Sequence, residues 1–145
     1  MKLYLGSDHG GFELKAQVRE FLQQKFPDVE IEDVGCDSSD SCDYPQFGKK
    51  VAEKVVSTPG SRGIIACGSG IGISIAANRV SGARAVLANS LELTQLGRQH
   101  NDANILAIGG RTKFYDPWEE IVTTFLTEET DMAERHARRR EQLDA

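Results

Sequence analysis

Short apolar runs alternate with longer segments of helical period along this chain, and the alternation recurs five times. Period separates strand from helix. Residues 2–7, 29–34, 63–67, 83–88 and 104–108 read as strands, the third of them continuously apolar, as befits a strand covered on both faces. Between them the spacing predicts helices over 12–26, 45–56, 71–79 and 91–100. In the first, Leu14, Val18, Phe21, Leu22 and Phe26 share one face before Pro27 ends it, and in the second Phe47, Val51 and Val55 recur every four residues. Asp116, Pro117 and Glu119 mark a further helix start, with Asp116 as the cap, and a charged helix from about residue 130 closes the chain. Strands separated by crossovers this long cannot pair as hairpins, so they lie parallel under helices on both faces. The expected fold is a three-layer α/β/α sandwich, Rossmann-like, with a five-stranded parallel sheet of order 2-1-3-4-5 and an extra C-terminal helix.

The 145 residues, 39% hydrophobic and 27% charged, suit one domain spanning 1–145. A chain of this size buries roughly 68–70% of its unfolded surface, enough for a core without disulfides or metal. Seventeen Lys+Arg against 22 Asp+Glu leave a net charge of −5, which argues against a nucleic-acid partner. Its apolar runs are too short for a membrane span. Cys36, Cys42 and Cys67 form no scaffold by number or spacing, and the first ten residues lack both a basic start and a long apolar run. The expected compartment is the reducing cytoplasm.

Open parallel sheets bind ligands beyond the carboxyl ends of their strands, where strand order reverses. Here that rule unites Ser7-Asp8-His9-Gly10-Gly11 with Cys67-Gly68-Ser69-Gly70-Ile71-Gly72. The second is a glycine turn whose backbone N–H groups can converge on an anion at a helix start. Ile73 occupies the position where a dinucleotide loop needs glycine and a cysteine phosphatase needs arginine, and no Gly-Lys-Ser/Thr follows. What remains is a thiol, Cys67, beside a cluster of donors and the hydroxyl of Ser69. The positive end of a helix favours the thiolate, which can act as nucleophile or general base. Cys36 and Cys42 lack such surroundings and are read as having no role. His9 and His100 are expected together on the carboxyl edge. Arg135 and Arg139, spaced i, i+4, project together as two phosphate-gripping forks, and Arg111 follows the fifth strand. If the last helix does not fold back over its own sheet, these arginines act on a neighbouring subunit.

These residues resemble the ribose-5-phosphate isomerase type B and galactose-6-phosphate isomerase family over nearly the whole chain. The resemblance rests on residues 7–15, Asp43-Tyr44-Pro45, residues 67–79, residues 98–104, and Arg135-His136 with Arg139. It implies aldose–ketose isomerisation of a sugar phosphate, in pentose phosphate metabolism, with no metal or cofactor. Residue by residue, it implies Cys67 as the base moving a proton between C1 and C2 through a cis-enediolate, with Asp43 orienting that thiol. Ser69 and the N–H groups of Gly68, Gly70 and Gly72 would hold the developing oxyanion, at about 2.7–4 kcal/mol per donor. His100 would assist ring opening, Asp8, Tyr44 and Asn101 would meet sugar hydroxyls, and His9, Arg111, Arg135 and Arg139 would bind the phosphate. Such enzymes form homodimers, or tetramers of them, with shared sites, and residues 130–145 would contact the partner.

Many family members carry threonine where Ser69 stands. Others replace the cysteine with serine and use a glutamate farther along the loop, where this chain has Ile73 and Ser74, so it matches the thiol type. Two alternatives stay open: an isomerase of allose or galactose 6-phosphate, and a sugar-phosphate-binding module without catalysis. A response-regulator domain shares the architecture but wants paired acids after strand one and Asp ending strand three, where Asp8-His9 and Cys67 stand.

Overall fold

The computed structural model describes Met1–Ala145. In chain order it runs β1 (Lys2–Ser7), a 3₁₀ turn (His9–Gly11), α1 (Phe12–Lys25), β2 (Glu30–Asp33), α2 (Tyr44–Ser57), β3 (Arg62–Cys67) and α3 (Ile71–Asn78). It continues through β4 (Ala85–Leu87), α4 (Leu91–Asn101), β5 (Ile105–Gly109), α5 (Trp118–Thr127) and α6 (Glu134–Asp144). All four strand pairings are parallel. No helix is long and apolar enough to cross a membrane.

The sheet order is β2-β1-β3-β5-β4, so the expected sequence of the last two strands is reversed. Burial explains the exchange. Every residue of β5 is buried, whereas β4 is three residues long and ends on the exposed Leu87. A strand apolar on both faces belongs inside the sheet, and a short half-wet one belongs at its edge.

The order also sets the layers, because parallel crossovers are right-handed. Steps from β1 to β2 and from β4 to β5 run one way along the sheet, and those from β2 to β3 and β3 to β4 run the other. Thus α1 and α4 cover one face while α2 and α3 cover the opposite one. The core divides accordingly. Leu14, Val18 and Leu22 of α1 join Ile121 and Phe125 of α5 against Leu3, Leu5 and Leu106. Val51 and Val55 of α2 meet Ile73 and Ala77 of α3 over Tyr4, Ile65 and Ile105.

Helix ends differ from expectation at one informative place. Pro117, not Asp116, occupies the cap position of α5 and makes no side-chain cap bond. Asp116 instead accepts the Leu91 N–H at 2.7 Å, while Ser90 accepts the Leu93 N–H at 3.2 Å. Two orphan donors at the start of α4 are satisfied by side chains 26 positions apart in sequence.

Candidate active site

The floor of the site is the carboxyl edge where β1, β3 and β5 end side by side. At the end of β1, Ser7 is fully buried and Asp8 nearly so, and Asp8 accepts the Gly11 N–H at 3.1 Å to cap the 3₁₀ turn. A side chain at Gly10 would come within 2.9 Å of the Gly68 nitrogen, so only glycine lets this turn lie against the loop after β3. His9 stands on the turn. The Cys42 N–H donates to its Nδ1 at 3.2 Å, and the Cys42 carbonyl lies 3.2 Å from the same nitrogen, which leaves Nε2 without a partner in this clamp.

Cys67 ends β3 with its thiol buried, and the Gly70 N–H donates to its Sγ at 3.1 Å. Gly70 holds φ +80° at the cap position of α3, a left-handed conformation open to glycine. Ser69 Oγ accepts the Ile71 N–H at 3.1 Å and keeps its own hydrogen to donate. Above Gly68 the only atom within 4 Å of a would-be Cβ is Arg111 Cδ at 3.7 Å, so space opens there beside a guanidinium. Arg111 is fixed by its backbone, whose N–H donates to the Gly68 carbonyl at 2.8 Å, as Gly110 does to Cys67 at 2.8 Å. This adjacency follows from the observed strand order. With β5 beside β3, Arg111 meets the thiol loop directly; in the expected order β4 would stand between them.

α2 supplies the wall. Tyr44 lies across Gly72, where a Cβ would fall 2.5 Å from its ring. Asp43 occupies the backbone cap position of α2 yet makes no side-chain cap bond, which leaves an exposed carboxylate uncommitted at the rim.

His100 and Asn101 lie elsewhere. A helix joining parallel strands must return from the carboxyl to the amino edge, and α4 does so, ending next to Arg84 at the start of β4. There the Arg84 Nε donates to the Asn101 carbonyl at 2.9 Å. The expectation that His100 shares an edge with His9 is therefore corrected: within one chain it stands at the opposite end of the sheet from Cys67. α6 packs on α4 rather than over the carboxyl edge, with Arg140 donating to the His100 carbonyl at 3.1 Å. It carries exposed Arg135 and Arg139 to the same end as His100. A groove of about 420 Å³ runs along the β4 edge past Asn101, Leu87 and Leu143, away from Cys67.

The segment around His100 also divides into structural and free residues. Arg98 is buried, donating to Asp102 at 2.8 Å and to the Ala103 carbonyl at 2.8 Å, and Asp102 terminates α4 at φ +46°. Partial burial works against the Asp102 charge, but the Thr130 hydroxyl and the Arg98 guanidinium outweigh it and hold this carboxyl below the usual range. One residue was given no role by the sequence reading: His136, buried with its ring stacked on that of His100. Its position beside Arg135 in a motif already singled out was the available signal.

The chain thus presents a three-layer sheet domain whose switch point carries a thiol among glycine-loop donors, with a second cluster of His, Asn and Arg at the far edge. A model of the Ribose/Galactose Isomerase family matches residues 3–143, and the chain belongs to that family. It is 45% identical over 140 residues to ribose-5-phosphate isomerase B of Mycobacterium leprae, covering 96% of this chain and 85% of that protein. With the ribose-5-phosphate isomerase B of Escherichia coli it shares 40% identity over 144 residues, covering 99% and 95%. The solved ribose-5-phosphate isomerase B of Clostridium thermocellum superposes with a TM-score of 0.92 at 45% identity, covering 99% of this chain and 95% of that one.

Proposed function

We propose that this protein is an aldose–ketose isomerase that interconverts ribose 5-phosphate and ribulose 5-phosphate, as its relatives are named for doing. The observation that carries this reading is the Cys67 thiol at the switch point, hydrogen-bonded by the Gly70 N–H in a loop that Gly10, Tyr44 and Arg111 flank at Gly68 and Gly72. His100 first opens the furanose by moving a proton at the ring oxygen. The Cys67 thiolate, oriented by Asp43, then takes the C2 proton of the open aldose, and the electron pair shifts to form the cis-enediolate. Ser69 and the N–H groups of the 68–72 loop stabilise the oxyanion. The thiol returns the proton to C1 while the O2 proton passes to O1, which completes the ketose. Asp8, Tyr44 and Asn101 contact hydroxyls, and His9, Arg111, Arg135 and Arg139 bind the phosphate.

In this reading the single domain over 1–145 carries two half-sites, and a homodimer completes both. The separation of His100, Asn101, Arg135 and Arg139 from Cys67 by the length of the sheet supports that arrangement. So do Ile71, Ile75, Leu87, Leu93 and Leu96, exposed apolar residues on α3, β4 and α4. The three free thiols fit a cytoplasmic protein.

The test is kcat/KM with ribose 5-phosphate, allose 6-phosphate and galactose 6-phosphate in the presence of EDTA. A preference for the pentose is expected. Preference for a hexose would overturn the substrate, and no turnover on any would overturn the reading.

A further inference from the structure

Two thiols outside the mechanism share one side of the site. Cys36 follows β2 and is locked to β1 by its N–H, which donates to the Ser7 carbonyl at 2.8 Å. Its Sγ lies 3.9 Å from Ser7 Oγ and donates to the Ser38 carbonyl at 3.2 Å. Cys42, six positions on, is tied by its backbone to the ring of His9. Ser7 and His9 are two residues apart, so both anchors hold the ends of the 36–42 loop at the same strand terminus and bring Cys42 to the same side as Cys36. Cys36 also borders a groove of about 340 Å³ lined by Lys15 and Arg19 and by the acids Glu20, Asp33 and Asp37. Lys15 reaches in to donate to the Cys36 carbonyl at 2.6 Å.

We infer that Cys36 and Cys42 form a reversible intrachain disulfide when the protein meets a peroxide, and that this closure disables the site. The consequence for activity rests on the isomerase reading; the bond itself does not. The Cys36 sulfur, reached through the groove, displaces hydroxide from hydrogen peroxide, its thiol proton leaves with that hydroxide as the first water, and it becomes a sulfenic acid. The Cys42 sulfur attacks it, gives up its proton, and the hydroxyl leaves as water. Two thiols and one peroxide yield one disulfide and two waters. Burial and the neighbouring Cys36 push the Cys42 thiol up, which keeps it protonated and leaves the first encounter with peroxide to Cys36. Bond formation draws the sulfurs to about 2.03–2.05 Å. Cys36 is held by β1, so Cys42 moves, loosens its hold on His9 and carries Asp43 and Tyr44 with it. Displacement of site groups by roughly 1 Å can cost on the order of a hundredfold in rate, and a loss of about tenfold or more is expected here.

The full-length protein is treated with hydrogen peroxide, blocked with iodoacetamide and digested, and its disulfides are mapped by mass spectrometry alongside isomerase activity. The expected result is a Cys36–Cys42 peptide whose appearance tracks the activity loss, both reversed by dithiothreitol. Cys42→Ser and Cys36→Ser keep the starting activity and resist the reversible loss. A disulfide to Cys67, no Cys36–Cys42 peptide, or equal inactivation of wild type and Cys42→Ser would overturn the inference. If the protein proves to have no isomerase activity, the peptide map still decides whether the bond forms.

Discussion

The imidazole of His136 lies face to face on that of His100, with ring centroids 4.2 Å apart and planes 12° apart. The stack joins α6 to α4 and gives the exposed end of α4 a fixed backing. His136 Nε2 is buried without a hydrogen-bond partner, 3.6 Å from Asp131 Oδ2. Burial first, then the charges of His100, Arg135 and Arg139, push this imidazole below the ordinary histidine range, against the pull of Asp131.

A folded-state value below the unfolded one means that the unfolded chain takes the proton first as pH falls. The contribution of neutral His136 is complete above about pH 6.5 and declines as pH drops below it toward the folded value. Thermal unfolding from pH 7.5 to 5.5 should therefore show a smaller decline in Tm for His136→Phe, which keeps the aromatic stack, than for wild type. Parallel declines would remove His136 from the acid response.

Cys67 and Arg139 are assigned different roles, and kinetics separates them. Cys67→Ala should lower kcat by roughly 10²–10⁴ with KM nearly unchanged, the mark of a lost general base. Arg139→Ala should act mainly through KM. A Cys67→Ala protein with full turnover would remove the thiol from the chemistry, and an unmoved KM for Arg139→Ala would remove that residue from the phosphate site.

Gly72 is needed for the Tyr44 ring above it. A methyl group there would sit 2.5 Å from the ring carbons, and because Tyr44 is exposed, the ring rather than the backbone yields. Gly72→Ala should leave the fold intact and raise KM about tenfold, equivalent to one lost contact of about 1.4 kcal/mol. Unchanged KM with normal stability would show that Tyr44 does not touch the sugar.

Asp116 stabilises α4 rather than α5. Asp116→Ala should cost about 1 kcal/mol in urea unfolding, and the Leu91 amide should lose protection in hydrogen exchange. Lost protection at the start of α5 instead would restore Asp116 as the cap of that helix.

Most of the layer structure was legible because strand and helix periods differ and right-handed crossovers leave few choices. The order of β4 and β5 was not, since Ala85–Leu87 and Ile105–Gly109 both read as apolar strands until their burial is known. At the site, the glycine pattern after β3 and the His9 turn were readable from spacing and the switch-point rule. His100 was misplaced for a geometric reason: proximity in sequence to β5 suggests the mouth of that strand, but the residues before a strand stand at its entrance. The Asp116 bond to Leu91 and the anchoring of Cys36 and Cys42 on Ser7 and His9 depend on contacts between segments distant in the sequence, and no local pattern announces them.

The central claim is that one catalytic site is assembled from two chains, with Cys67 from one and His100 from the other. Its most direct test is a tagged heterodimer pairing a Cys67→Ala chain with a His100→Ala chain, each impaired as a homodimer. One site of that heterodimer carries both defects and the other carries none, so the account predicts about half of wild-type kcat per dimer. If the heterodimer remains at the level of its impaired parents, both residues serve the same chain's site and the shared-site account is wrong.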